Sequence, residues 1–378
     1  MKVLMLGRTD LLTEGGGDKI QVQNTADELR KLGVEVDIEN RFDVDMSSYD
    51  IIHIFQLDWG YESYFHTQRA KKYNKPIVFS PIHHLMHEVK KHDDEYVFDY
   101  RRLTKYMFKD QFHRDTYKMV YRCFFNPKKI KPTLITIVKG LKNMHIEALK
   151  LSDIVLVQTV LEAQDLKKVY GVDITWEKAP NGVGNQFINQ RNTYENKLGI
   201  ENYFISVGRL EPRKNHLTLI QALKQLRQET DLDLQLLLIG KKALRNHVEY
   251  TLRMNKELEN NKWLHHVDHV PYAEIAAYYH FAKVGVSLSW FETTGLTMLE
   301  ALFCGCNIVA SSEPTKEYLG NYAEYCSPND ITQIKQALLK AYKSPRPVVD
   351  DSLKHEYTWK RAAEKTLEVY NKLLELKP

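Results

Sequence analysis

Cysteine is scarce in this sequence: Cys123, Cys304, Cys306 and Cys326 are the only four in 378 residues, and none form a CxxC pair. That excludes a zinc ribbon and argues against a disulfide framework. Long apolar runs are missing too, and nothing approaches the roughly 18 residues a membrane-spanning helix needs. The opening, MKVLMLGRTD, carries Arg8 and Asp10 where a signal peptide keeps an apolar core. The expectation is a cytoplasmic protein that does not span a membrane. Neither GxGxxG nor GxxxxGK followed by Ser or Thr occurs, against a dinucleotide dehydrogenase or a P-loop enzyme. Two DxD sequences, Asp43-Val-Asp45 and Asp231-Leu-Asp233, fall in a loop and at the start of a strand. Both read as surface acids, so no metal site is expected.

What is present fits a soluble enzyme: 43% hydrophobic and 27% charged residues, in a chain long enough for two domains. The net charge of +4 hides an asymmetry. Between Tyr100 and Lys150 stand thirteen Lys/Arg against three Asp/Glu, a local balance of +10 that leaves the rest of the chain at −6. This stretch interleaves its cations with Tyr, Phe and Met, which suits an anionic membrane surface; a core-packed helix with a solvated basic face is the alternative. No nucleic-acid module accompanies it, and no nucleic-acid partner is expected.

Apolar runs alternate with helical patterns along the whole chain. KVLMLG, VEVDI, DIIHIF, PIVFSP and SDIVLVQT read as strands of a first series; YFISVG, LQLLLIG, VGVSLS and CNIVAS form a second. Alternation of this kind implies parallel, doubly wound sheets. The fold class is therefore α/β, two Rossmann-like domains facing a cleft. The first covers 1–185, with the basic aromatic helical segment at about 86–147; the second covers 186–360; a helix at 361–378 returns to the first. Ligands of such sheets bind beyond the carboxyl ends of the strands, so residues that follow strands are the candidates.

After YFISVG come Arg209 and, five positions on, Lys214, in GRLEPRKNH, with Arg213 ranked below them. A cation pair at a strand end ahead of a helix suits an oligophosphate: Arg offers a fork of donors and Lys a mobile point charge. After VGVSLS, Glu292 opens a turn through Thr293, Thr294 and Gly295, and a helix begins near Leu296. Backbone N–H groups at that helix end would meet an anion. Glu292 suits sugar hydroxyls, a solvated loop acid being the alternative. Glu300 suits the two hydroxyls of a ribose, a capping box with Thr297 being the alternative.

VGRLEPRKN followed some eighty residues later by FETTGLTMLEALFCG resembles the paired G-R-x4-K and E-x7-E signature of glycosyltransferase family 4. GGGDKIQVQNTADELRKLG, APNGV and VPYAEIAAYYHFAKVGVSLS are similar to that family's glycine-rich loop, domain junction and base-side segment. The resemblance implies a GT-B fold and retaining, metal-independent transfer from a nucleoside diphosphate sugar, with no cofactor. Arg209 and Lys214 would then hold the diphosphate and Glu300 the ribose, while Glu292 and the amides of Thr293, Thr294, Gly295 and Leu296 would face sugar and phosphate. Thr293-Thr294 replaces the family's usual Gly-Phe, which leaves the sugar open.

In the first half, IVFSPIHHLMHE ends a strand, and His83 matches the histidine the family often places near the transferred sugar, with His84 behind it. A satisfied loop histidine and a metal ligand are the alternatives; His84-x-x-His87-Glu88 matches neither ordering of the zinc-protease motifs. Gly15 to Gly17, Gly16 foremost, would let backbone approach the ligand. The expected partners are a nucleotide-sugar donor, a glycan or lipid-linked acceptor of cell-surface polysaccharide or glycolipid synthesis, and an anionic membrane through 100–150, at its inner face. An epimerase or phosphorylase of the same fold, or a non-catalytic nucleotide-sugar-binding or scaffold protein, are the rival readings.

Overall fold

The computed structural model describes residues 1–11, 16–58, 60–189, 194–243 and 247–376; Gly15 lies outside them. The chain divides into two compact units, each discontinuous in sequence. The first comprises Met1–Met86, Leu103–Gly182 and Tyr357–Pro378, and the second His87–Arg102 and Val183–Glu356. The basic segment expected to be one feature of the first domain is thus divided: its opening residues, through Arg102, belong to the second unit.

The first unit holds strands β1 (Lys2–Leu6), β2 (Glu35–Glu39), β3 (Ile51–Phe55), β4 (Ile77–Ser80), β5 (Ile154–Val157) and β6 (Trp176–Lys178). They form one parallel sheet in the order β2-β1-β3-β4-β5-β6. Its central strands are covered on both faces, which is why they read as unbroken apolar runs. All five residues of β3 are buried, and its one polar member, His53, is satisfied by Ser80 Oγ at 2.8 Å and Tyr370 OH at 2.6 Å. Tyr370 lies on the helix Trp359–Glu375, which packs Ala363, Val369, Tyr370 and Leu373 into the core beside Val22, Ala26 and Leu29 of the helix Gly17–Lys31. The chain passes Thr358 so closely at Gly182 that a Cβ there would lie 2.1 Å from the Thr358 carbonyl carbon and the Trp359 nitrogen.

The second unit holds β7 (Tyr203–Val207), β8 (Leu236–Ile239), β9 (Leu264–Val267), β10 (Ala282–Ser287), β11 (Asn307–Ala310) and β12 (Ala323–Tyr325). Its sheet is again parallel, in the order β12-β11-β10-β7-β8-β9. Strand order reverses at the β7/β10 pair, the switch point where such sheets leave a crevice beyond the strand ends. Residues 87–102 are packed into this unit by aromatic contacts: Phe98 lies edge-on to Tyr250 at 5.1 Å, and His92 meets Trp290 and Phe291. Arg101 binds Asp99 and lies 5.0 Å over the Tyr96 ring, so this cation is committed to the fold. No helix among the described residues is long and apolar enough to cross a membrane.

Candidate functional site

The switch point of the second unit gathers both halves of the sequence signature. Beyond β7 and β8 the backbone crosses itself at Gly208 (φ 150°) and Gly240 (φ 146°), where a Cβ on Gly240 would sit 2.1 Å from the Gly208 carbonyl oxygen. The chain then turns through the short 3-10 helix Pro212–Lys214, and Asn215 adopts φ 58° to start the helix His216–Glu229. This turn folds the Lys214 stem back over Gly208. The loop after β10 is tied to it: the Trp290 amide donates to the Arg213 carbonyl at 2.9 Å.

Lys214 and Glu292 meet as an ion pair here, both side chains largely buried. Arg213 reaches the other carboxylate oxygen of Glu292 at 3.5 Å, binds Glu211 at 3.1 Å and covers the Phe291 ring. Burial opposes ionisation of Glu292, but Lys214 and Arg213 outweigh it and hold the carboxyl at about 2. Glu211 is likewise kept below the usual carboxylate range, against its burial, by Arg213, Lys214 and Arg209. Arg209 itself is exposed at the strand end. The structure thus gives Arg213 a supporting part and adds Glu211, whose alternation with the cations in GRLEPRK was the only signal for it.

Thr293 and Thr294 lead to Gly295, whose φ of 75° is left-handed and where an added Cβ would lie 2.7 Å from Thr315 Cγ2. Gly295 is the N-cap of the helix Leu296–Phe303, and no side chain caps it. The Thr297–Glu300 capping box is therefore not formed. Glu300 instead accepts a hydrogen bond from Tyr272 OH at 2.7 Å, and burial pushes its carboxyl up to about 8. Tyr272 is held edge-on by Phe187 at 5.3 Å. It comes from PYAE after β9, and nothing in the spacing of the signature points to it.

A further carboxylate supports the Glu292 loop from far away in sequence. Ser312 Oγ accepts the Glu292 amide at 3.0 Å and donates to Glu88 at 2.8 Å; Glu88 also takes the Glu313 amide at 2.7 Å. Burial raises Glu88 to about 7.

In the first unit, His83 stands after β4 in a backbone whose Ile82 adopts φ 49°, a strained conformation for a β-branched residue. Its amide donates to Glu162 at 2.7 Å and its Nε2 pairs with Asp165 at 2.9 Å, while Nδ1 makes no hydrogen bond and lies 3.9 Å from Asp58. Burial works against the imidazolium, but Asp165 and Asp58 prevail and raise the His83 pKa. His84 binds Asp58 at 3.0 Å. Asp58, Glu162 and Asp165 were not legible as partners of His83, since they arrive from the turn after β3 and from the helix Val160–Tyr170, far from it in sequence. Gly16 is the extended N-cap of the helix Gly17–Lys31, whose Asp18 pairs with Arg8 at 2.6 Å. Among the described residues no cluster of three or more His, Cys, Asp or Glu side chains is arranged to hold a metal ion.

The second unit thus offers cations and uncapped helix amides to an anion, and carboxylates to hydroxyl groups. Residues 190–366 match the family model of glycosyl transferases group 1. The chain is 27% identical over 189 residues to O-antigen chain mannosyltransferase B of Escherichia coli, covering 47% of this chain and 48% of that one. It is 33% identical over 113 residues to the N-acetylgalactosamine-N,N'-diacetylbacillosaminyl-diphospho-undecaprenol 4-alpha-N-acetylgalactosaminyltransferase of Campylobacter jejuni, 29% of this chain and 28% of the relative. The chain therefore spans at most about half the length of these relatives. Sucrose-phosphate synthase of Thermosynechococcus elongatus shares the fold over 100% of both chains, with a TM-score of 0.68 at 17% identity. The fold of this chain is GT-B, and its residues 190–366 are similar to the glycosyl transferases group 1.

Proposed function

We propose that the protein transfers a sugar from a nucleoside diphosphate sugar to a hydroxyl group of a glycan or lipid-linked acceptor in cell-surface polysaccharide or glycolipid synthesis. The observation that carries this reading is the buried Lys214–Glu292 pair at the switch point, next to the uncapped helix Leu296–Phe303. The carboxylate of Glu292 is paired with the Lys214 cation. An arriving diphosphate brings more charge and more acceptor oxygens to Lys214. Glu292 is then released toward the sugar hydroxyls, Arg209 and the helix amides share the phosphate charge, and Glu300 accepts from the ribose in place of the Tyr272 bond. Leaving-group charge is met by preorganised cations and amides, so transfer proceeds without a divalent metal, and with retention of configuration as the family resemblance implies. His83, polarised by Asp165 at 2.9 Å, matches the histidine that the family resemblance sets near the transferred sugar. The names of the two relatives, both glycan-building transferases, support a saccharide acceptor; a lipid-linked one brings the enzyme to the cytoplasmic face of a membrane.

A panel of nucleoside diphosphate sugars tests the reading. The correct donor at 100 times its dissociation constant adds about 2.7 kcal/mol of stability and turns over with the acceptor in excess EDTA. Absence of any stabilising nucleotide sugar overturns it.

A further inference from the structure

The helix Ile130–Lys139 is inverted. Its inward positions carry Thr133 and Thr136, at 4% and 0% exposure, while Ile130, Leu134, Ile137 and Val138 face solvent, Val138 at 85%. These four stand at i, i+4, i+7 and i+8, one continuous stripe of the helix surface. Thr136 is satisfied at depth by the Pro132 carbonyl at 2.9 Å, so the orientation is built in. At the turn before this helix, Phe124 and Phe125 are 79% and 74% exposed. An apolar stripe continued by two aromatic side chains is unlike the scattered apolar residues of an ordinary surface.

Charge selects the occupant. From Thr116 to Ile146 the sequence has seven Lys/Arg and no Asp or Glu; Arg122, Lys128, Lys131, Lys139 and Lys142 are exposed around the stripe. A second copy of the same face would meet it cation against cation. A phospholipid surface supplies both complements, phosphate for the lysines and acyl boundary for the apolar side chains. The ten-residue helix is about 15 Å long, half a hydrocarbon core, so it lies in the interface plane. Two other cations of the basic region are committed to the fold: Arg101 is bound to Asp99, and Arg114, 2% exposed, donates to the Phe108 carbonyl at 2.8 Å.

We propose that Phe124, Phe125 and the outer face of Ile130–Lys139, with Lys128, Lys131 and Lys139, form the surface by which the protein docks on an anionic lipid bilayer. This deepens the lipid-linked-acceptor reading by naming the docking surface, and its test needs no catalysis. The full chain is sedimented with vesicles of phosphatidylcholine alone or with phosphatidylglycerol. Binding is expected only with the anionic lipid and falls at least tenfold between 0.1 and 1 M salt, as the Debye length shrinks from about 10 Å to about 3 Å. The exposed-site variants Phe124→Ser/Phe125→Ser/Val138→Ser and Lys128→Glu/Lys131→Glu/Lys139→Glu each lose at least tenfold in vesicle binding while nucleotide binding stays unchanged. Wild type that ignores anionic vesicles overturns the proposal. So does retention of binding by the apolar variant, which would mean charge acts alone, or dimerisation in solution that this variant abolishes, which would make a second copy the occupant. None of these outcomes touches the nucleotide-sugar reading, which stands or falls on donor binding.

Discussion

Ser312 donates a hydrogen bond from its hydroxyl to Glu88 at 2.8 Å, joining residues 224 positions apart within one unit. Through the Glu292 amide, 3.0 Å from the same hydroxyl, this bond sets the loop that carries the signature carboxylate.

Glu88→Ala strands the Ser312 hydroxyl and the Glu313 amide. The buried Ser312 hydroxyl, left without its acceptor, costs about 1–3 kcal/mol, so the unfolding temperature should fall by several degrees. Turnover should drop more than tenfold with free nucleoside diphosphate affinity nearly unchanged, and Glu88→Gln should recover most of both. A normal melting curve for the alanine variant would dismiss the link.

Removing either cation beside Glu292 should have a different consequence. Lys214→Ala is expected to weaken nucleoside diphosphate binding by about 1.5–3 kcal/mol, and Arg209→Ala by a similar amount. Arg213→Ala should lower stability, since Glu211 and Glu292 lose their shared partner, while sparing nucleotide affinity more than Lys214→Ala does. Calorimetry on the three variants decides; equal losses of affinity would return Arg213 to the binding set.

Three buried acids make stability fall with rising pH. Burial raises Glu88 and Glu162 to about 7 and Glu300 to about 8. In the unfolded chain each ionises near 4.5, so above that pH the unfolded state binds fewer protons and gains relative to the fold. The loss accumulates as pH rises from the unfolded value to the folded one and is complete above about 8. Buried His53 and His216, both near 3, act the other way: they stay neutral in the fold and withdraw stability as pH drops below 6.5. Between pH 6.5 and 8 the acids act unopposed by the histidines, so melting temperature should decline there, and Glu300→Gln should flatten the decline. A flat wild-type profile over that interval would contradict the burial argument.

The same carboxyl links pH to ligand. If Glu300 accepts from both ribose hydroxyls it must be ionised, so nucleoside diphosphate affinity should rise from pH 6.5 to 8.5 in wild type. The rise should be absent in Glu300→Gln and enlarged or shifted in Tyr272→Phe, which removes the Tyr272 hydrogen bond on that carboxyl. Identical pH profiles for wild type and Glu300→Gln would exclude Glu300 from the ribose.

The strands that announced themselves were those covered on both faces, such as β3, β8 and β10, because a buried strand needs an unbroken apolar run. The strands β6 (WEK), β9 (LHHV) and β12 (AEY) are short sheet edges with partly solvated faces, and their pattern cannot be told from a loop. At the site, Arg209, Lys214, Glu292 and Glu300 were legible because a local strand-loop-helix segment carries each pair at fixed spacing. Glu88, Tyr272 and Asp165 were not, since what matters about them is proximity across the fold. The basic stretch showed its charge but not its orientation: sequence alone did not reveal that Thr133 and Thr136 would turn inward.

The chain changes unit at Met86, Arg102, Gly182 and Glu356, and this imposes an order of assembly during synthesis. Everything the second unit requires has been made once Glu356 is joined. The first unit, although it begins with the first residue, still lacks the helix Trp359–Glu375 that closes over Val22 and Leu29. The half made first is therefore finished last, and a released fragment ending near residue 356 should hold a protease-resistant second unit beside an incomplete first. Exchanging the second unit for that of a relative by a single crossover near residue 183 would leave residues 87–102 behind with the wrong parent, so an intact chimera needs two separate segments moved together.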